Sequence, residues 1–159
     1  MRKSGIALVA IAGLLLPSFA QAVDKGKAKF VGGTITVVKE GTEAPINVRG
    51  EEKLFFANGA LEIPWKSIED VEYGQKVGHR IGQAILFGPV ALFKKARHHY
   101  VTVAYKDAAR KDQAVVLEFD KDDIRMALAA FKARTGKDIT YQDAEARKQM
   151  AGGKEEQKK

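Results

Sequence analysis

The residues that could do acid–base, nucleophilic or metal chemistry are few, and their spacing does not favour it. The three histidines are His79, His98 and His99. His79 meets one of the other two only if the chain between them folds back on itself. Two imidazoles without a third ligand make a poor zinc site, so no metal is expected. Ser67 is the one serine beyond residue 22. It lies in Pro64-Trp65-Lys66-Ser67 rather than in a G-x-S-x-G elbow, and reads as a hydroxyl at a strand start. The acidic pairs are Glu69/Asp70 and Asp122/Asp123. Neighbours along a strand point to opposite faces, so Glu69 and Asp70 do not converge on one substrate atom. Asp122 and Asp123 are better used against a helix N-terminal dipole. No cysteine exists, which excludes thiol catalysis, thiolate metal sites and disulfides. Neither a phosphate loop nor a dinucleotide fingerprint is present, and Gly74, Gly78 and Gly82 do not follow G-x-G-x-x-G. On these grounds the chain is not expected to be an enzyme, and no cofactor is expected.

The chemistry that does stand out is amphipathic. Residues 78–100 read GHRIGQAILFGPVALFKKARHHY, with an apolar run from Ile81 to Phe93 between two basic clusters. The residues expected to meet an anionic surface or a partner are Lys76, His79, Arg80, Phe87, Phe93, Lys94, Lys95 and Arg97. The run is 13 residues long, short of the ~20 that cross a bilayer. Gly88-Pro89 turns the chain in its middle. Residues 81–93 therefore read as an insert linking two strands. Three uses fit: burial of Ile85, Leu86, Val90 and Leu92 against a sheet, shallow contact with a membrane face, or contact with another protein. The sequence leaves these open.

The ends bear on where the chain works. Arg2 and Lys3 precede an apolar stretch, Ile6 to Leu16, followed by Pro17 and then Ser-Phe-Ala-Gln-Ala with Ala20 and Ala22 at the small-residue positions. This is the pattern of a secretory signal peptide over residues 1–22, so a periplasmic or secreted protein is expected. The formal charge is +7, and removal of Arg2 and Lys3 leaves +5. That excess favours anionic partners such as lipid head groups or cell-wall polymers. The partner expected is an unidentified protein or envelope component, with an anionic membrane surface as the alternative. Nucleic acid is not an expected partner, and the composition is silent on oligomeric state.

The elements that must hold the insert can be read from periodicity. Residues 23–29 read as a flexible lead. Phe30 to Val38 is strand-like by its β-branched content, with Gly32-Gly33 marking a bulge or a close backbone approach. A short strand is expected near Ile46 to Val48. Lys53–Ala57 and Ala60–Trp65 flank Asn58-Gly59, a strong hairpin signal, and Pro64 puts the second strand at an edge or ends it. Ser67–Gly74 reads as a strand. His99–Asp107 and Gln113–Phe119 form a second hairpin. The period then changes: Ile124, Ala127, Leu128 and Phe131 fall on one helix face. Asp120 is placed to cap that helix, and Gly136 to end it. Ile139 to Tyr141 adds a short extended piece. Residues 143–159 read as a charged, largely disordered tail. The expectation is a single mainly β domain over 30–142, a bent antiparallel sheet or small barrel closed by one C-terminal amphipathic helix.

Three stretches carry a resemblance: IPWKSIEDVEYGQKVGHR (Ile63–Arg80), ALFKKARHHYVTVAYKD (Ala91–Asp107) and FKARTGKDITYQDAEARK (Phe131–Lys148). They resemble short exported bacterial proteins of uncharacterised activity with a pleckstrin-homology-like (PH-like) or GRAM-like domain, from about Phe30 to about Lys148. The resemblance implies a non-catalytic exported binding or scaffold module, and no chemistry. Lipid-binding PH domains usually keep head-group ligands in a basic loop between the first two strands, and this chain departs from that pattern. Here that loop, KEGTEAPINVRG, sets Lys39 and Arg49 against Glu40 and Glu43.

Overall fold

A computed structural model describes residues 26–75 and 98–151. The fold is mainly β. Eight strands form one sheet: β1 Gly26–Gly33, β2 Glu43–Asn47, β3 Lys53–Phe56, β4 Leu61–Pro64, β5 Ile68–Gly74, β6 His99–Lys106, β7 Asp112–Phe119 and β8 Thr140–Tyr141. Two helices follow the long strands, α1 Lys121–Thr135 and α2 Ala144–Ala151. The strand order is β4-β3-β2-β1-β7-β6-β5-β8. All pairs are antiparallel except β5 with β8.

The connection between β4 and β5 dictates the curvature of the sheet. These strands are six neighbours apart in the sheet, about 29 Å if it were flat. Only Trp65–Ser67, a single 3-10 turn, joins them, and four residue steps reach about 14 Å at most. The sheet must therefore curl until β4 approaches β5, although it does not close into a barrel. The concave side holds the core: Phe30, Ile46, Leu54, Phe56, Ile63, Trp65, Val71, Tyr73, Val101, Val103, Leu117 and the α1 face are all buried there. That face is Ile124, Ala127, Leu128 and Phe131, as the periodicity predicts. Phe131 meets Trp65 edge-on, with centroids 5.7 Å apart and planes at 84°. Trp65 Nε1 donates to the Gly50 carbonyl at 2.8 Å, so the indole has its polar partner as well as its apolar burial. The helix thus seals the core against the turn that forces the curl.

Several expectations are corrected. The first strand starts at Gly26, not Phe30, so residues 26–29 of the expected lead are sheet. Ala28 and Phe30 point into the core while Lys27 and Lys29 point out, a correct alternation that the small and basic composition hides. The strand ends at Gly33, and Val37 is 67% exposed. The two glycines act as expected: the register with β7 shifts between Phe30 and Gly32, and a Cβ on Gly33 would lie 2.3 Å from the Ala114 carbonyl oxygen. The tail is also shorter than expected. α2 occupies 144–151 and buries Ala146, and Asp143 caps it by accepting the Ala146 N–H at 2.7 Å. The mainly β fold is as expected, and of its two expected forms the open bent sheet is the one present, with one parallel pair added by β8; among the described residues a second short helix, α2, joins the expected one. Asp120 stands at the N-cap position of α1 in extended conformation but makes no side-chain cap bond. Its carbonyl accepts the Asp123 and Ile124 N–H groups instead.

The remaining elements follow the sequence closely. The β3–β4 hairpin turns through Ala57, Asn58 and Gly59, all at positive φ (51°, 56° and 93°). Pro64 ends an edge strand. The β6–β7 turn is held by Asp107, whose carboxylate accepts from Ala109 N, Lys111 N and Gln113 Nε2. Those bonds, that from Gln113 foremost, hold its pKa below the usual range. Gly136 ends α1 in the left-handed conformation at φ 68°.

Candidate functional site

β5 ends at Gly74 and β6 begins at His99, so residues 76–97 leave and re-enter the fold between two directly paired strands. Gly74 faces Tyr100 across the ladder, and Tyr73 faces Val101. Alternation puts successive side chains on opposite faces, which sorts the polar groups around this root into two sets.

On the core face, Tyr73 and His99 form a buried pair, with the phenol oxygen 2.7 Å from His99 Nδ1. Their rings stack at 6.0 Å, and Tyr141 of β8 meets Tyr73 edge-on at 6.1 Å. Burial pushes the Tyr73 phenol up to about 12. Burial also lowers the pKa of His99, with His98, Lys121 and Arg125 adding positive charge nearby and Asp120 opposing them. The phenol keeps its proton, and the tautomer of His99 decides the direction of the bond: Tyr73 Oη donates to a bare Nδ1, or Nδ1–H donates to Oη. The pair is a hydrogen-bonded plug under the root, fixed by the parallel β5–β8 contact that brings Tyr141 against Tyr73.

On the other face, His98 Nδ1 lies 2.5 Å from Glu118 Oε1, and its ring stacks on Tyr100 at 5.9 Å. Glu118 pairs with Tyr100 across the β6–β7 ladder and with Lys29 across the β1–β7 ladder. Burial pushes the Tyr100 phenol up to about 12, with Glu118 acting in the same direction. His98 and His99 therefore point away from one another and do not share a ligand. Among the described residues no group of three or more His, Asp or Glu side chains is placed to hold a metal ion.

The other chemistry-bearing residues are used in the architecture. Ser67 Oγ donates to the Pro64 carbonyl at 2.8 Å and closes the β4–β5 turn. Glu69 sits at a register shift in β5 and lies 3.6 Å from Lys106 Nζ, whereas Asp70 accepts from Thr140 Oγ1 at 3.1 Å. Asp123 accepts the Lys27 N–H at 3.2 Å and ties the start of β1 to the first turn of α1. Arg49 lies against α1, with Nη2 2.8 Å from Met126 Sδ.

The expected contact residues Lys76, His79, Arg80, Phe87, Phe93, Lys94, Lys95 and Arg97 lie outside the described residues, as do residues 1–22 and the run 81–93. The sequence considers His98 and His99 only as possible metal ligands. The structure assigns them to two separate clusters, His99 as the first residue of β6 and His98 just before it. The Tyr73–His99 pair was missed because its partners are 26 residues apart. No helix among the described residues is long and apolar enough to cross a membrane. The chain matches no family model, no curated protein and no solved structure.

Proposed function

We propose that this protein is an exported, non-catalytic binding or scaffold module of PH-like or GRAM-like type, with residues 76–97 as its contact element. The observation that carries this reading is the rigid root. A 22-residue segment starts and ends on paired strands that are pinned by the Tyr73–His99 and His98–Glu118 contacts. Recognition segments are commonly mounted this way, on a stiff sheet that limits the entropy lost on binding. Antiparallel strands closed by a C-terminal amphipathic helix support the PH-like assignment, and the pattern of residues 1–22 supports export. The test is capture from the native envelope fraction with the mature protein and with a Lys94→Gln, Lys95→Gln, Arg97→Gln variant. A partner retained by the parent and lost by the variant is expected. An identical set of captured proteins would count against the segment as contact element.

A second reading is docking on anionic lipid. It is favoured by cations on the described body near the same root: Lys121 and Arg125 act on His99, and Lys29 sits beside Glu118. Each basic residue near an anionic surface contributes about 1 kcal/mol, screened by salt. The triple Gln variant should therefore bind anionic vesicles about two orders of magnitude more weakly. Co-sedimentation at low and high salt measures it. Parent protein that stays in the supernatant at low salt refutes lipid docking.

A further inference from the structure

The β3–β4 turn holds Asn58 and Gly59, the one Asn-Gly step in a chain whose asparagines are Asn47 and Asn58. In such a step the glycine nitrogen can attack the asparagine side chain. A bond forms from the Gly59 nitrogen to Asn58 Cγ, and the Cγ–Nδ2 bond breaks. Nδ2 leaves as ammonia with the proton that the Gly59 amide gives up, and a five-membered succinimide remains. Water then opens the ring and is the only co-reactant. Opening at Cγ gives aspartate. Opening at the main-chain carbonyl gives isoaspartate, in which the chain runs through Cβ and Cγ. Glycine favours the attack because no side chain shields its nitrogen.

We propose that Asn58 is a deamidation site that the β3–β4 hairpin keeps closed, so that it reacts only when the hairpin opens. Burial does not protect it, because Asn58 is exposed. The backbone does. Ring closure needs Asn58 Cβ and the Gly59 nitrogen eclipsed about the Cα–C bond, at a ψ of about −120°, outside the main regions open to an L residue. Asn58 stands at φ 56° and ψ 32°, so its Cβ and that nitrogen point in nearly opposite directions. A swing of about 150° in ψ must come first. The hairpin opposes it. The Ala60 N–H donates to the Ala57 carbonyl across the turn at 3.2 Å. Phe56 faces Leu61, Phe55 faces Glu62 and Leu54 faces Ile63 in the ladder. Leu54, Phe56, Leu61 and Ile63 are core residues, and Lys53 Nζ lies 2.9 Å from Glu62 Oε2 on the outer side. Yet β4 is a four-residue strand at the edge of the sheet. Opening it breaks one ladder and leaves the others standing.

Asn47 does not compete. It precedes Val48, whose branched Cβ crowds the attacking nitrogen, and its Oδ1 accepts the Arg49 and Gly50 N–H groups at 2.9 and 3.1 Å. The two products at position 58 differ in their effect. Aspartate tolerates the left-handed conformation as asparagine does, so that product keeps the turn. Isoaspartate adds a carbon to the main chain between the paired residues Phe56 and Leu61. The turn then no longer sets them opposite one another, and β4 loses its register.

The test follows the mature protein, residues 23–159, in mildly alkaline buffer with and without urea, by peptide mass mapping and enzymatic methylation of isoaspartate. In urea the peptide carrying Asn58 should gain isoaspartate and the peptide carrying Asn47 should not. In native buffer conversion at Asn58 should be at least about 30-fold slower, in proportion to the rarity of the open hairpin. Leu61→Ala, which loosens β4, should convert faster than the parent in native buffer and at the parent's rate in urea. Ile63→Val loosens the same strand more gently and takes its place if Leu61→Ala does not fold. Asn58→Asp should melt with the parent, whereas isoaspartate protein refolded from urea should lose hydrogen-exchange protection in β4. Equal rates with and without urea overturn the gate, as does a folded β4 variant that converts no faster than the parent. No conversion at Asn58 in urea overturns the site.

Discussion

Gly33→Ala is the most economical test of the sheet register, because one methyl group decides it. Gly33 pairs with Val115 of β7, and a Cβ there would stand 2.3 Å from the Ala114 carbonyl oxygen and 3.1 Å from the Val115 Cα. An ordinary carbon–oxygen contact needs roughly 1 Å more than that first distance. The obstacle is backbone, and β7 is held by β1 on one side and β6 on the other, so it cannot step aside. Relief requires β1 to lift off, which breaks the Thr34 N–H bond to Ala114 O, 2.9 Å long. One such bond is worth about 1 kcal/mol, and overpacking strain adds about 1–3 kcal/mol. The expected loss is about 2–4 kcal/mol, or a urea midpoint lower by about 1–2 M at a typical slope. Gly32→Ala is the control. Its Cβ would meet only the Glu40 carboxylate at 3.4 Å among the described residues, and that side chain can swing away. It should stay within about 1 kcal/mol of the parent. Equal midpoints for the two variants, or a Gly33→Ala protein as stable as the parent, would refute the close approach of β1 to β7.

Phe131→Ala, which empties the space beside Trp65, should cost about 3–5 kcal/mol, while Lys132→Ala, whose ion pair with Asp138 is exposed, should leave the urea midpoint within error. Stability should fall as pH drops below about 6.5, the ordinary histidine value. The folded state resists protonating His99, so the unfolded chain takes up the proton first and the loss levels off below the lowered native pKa. Urea midpoints between pH 8 and 5 measure this, and a His99→Gln variant should flatten the curve; a slope that survives the substitution would assign the effect elsewhere. Protein recovered from the periplasm should have the mass of residues 23–159, and a mass retaining Met1 would contradict export by cleavage after Ala22.

What the sequence by itself determined is local. The α1 face, the Asn58-Gly59 hairpin, the β6–β7 hairpin and the C-terminal stop at Gly136 each follow from periodicity or from a residue's own φ preference, and each is where it was expected. The special role of Gly32-Gly33 was legible too, because two adjacent glycines in a β-branched run signal a bulge or a close neighbour. What needed the tertiary structure is everything set by partners distant in the chain. β1 begins at Gly26 because Ala28 and Phe30 find Phe119 and Leu117, and no pattern in Gly-Lys-Ala-Lys announces that. α2 forms where composition alone reads as tail, because Ala146 has a core to enter and Asp143 caps the turn. Tyr73 and His99 become a buried pair only once β5 and β6 are side by side, and the curl of the sheet exists only because three residues must join β4 and β5, strands six neighbours apart.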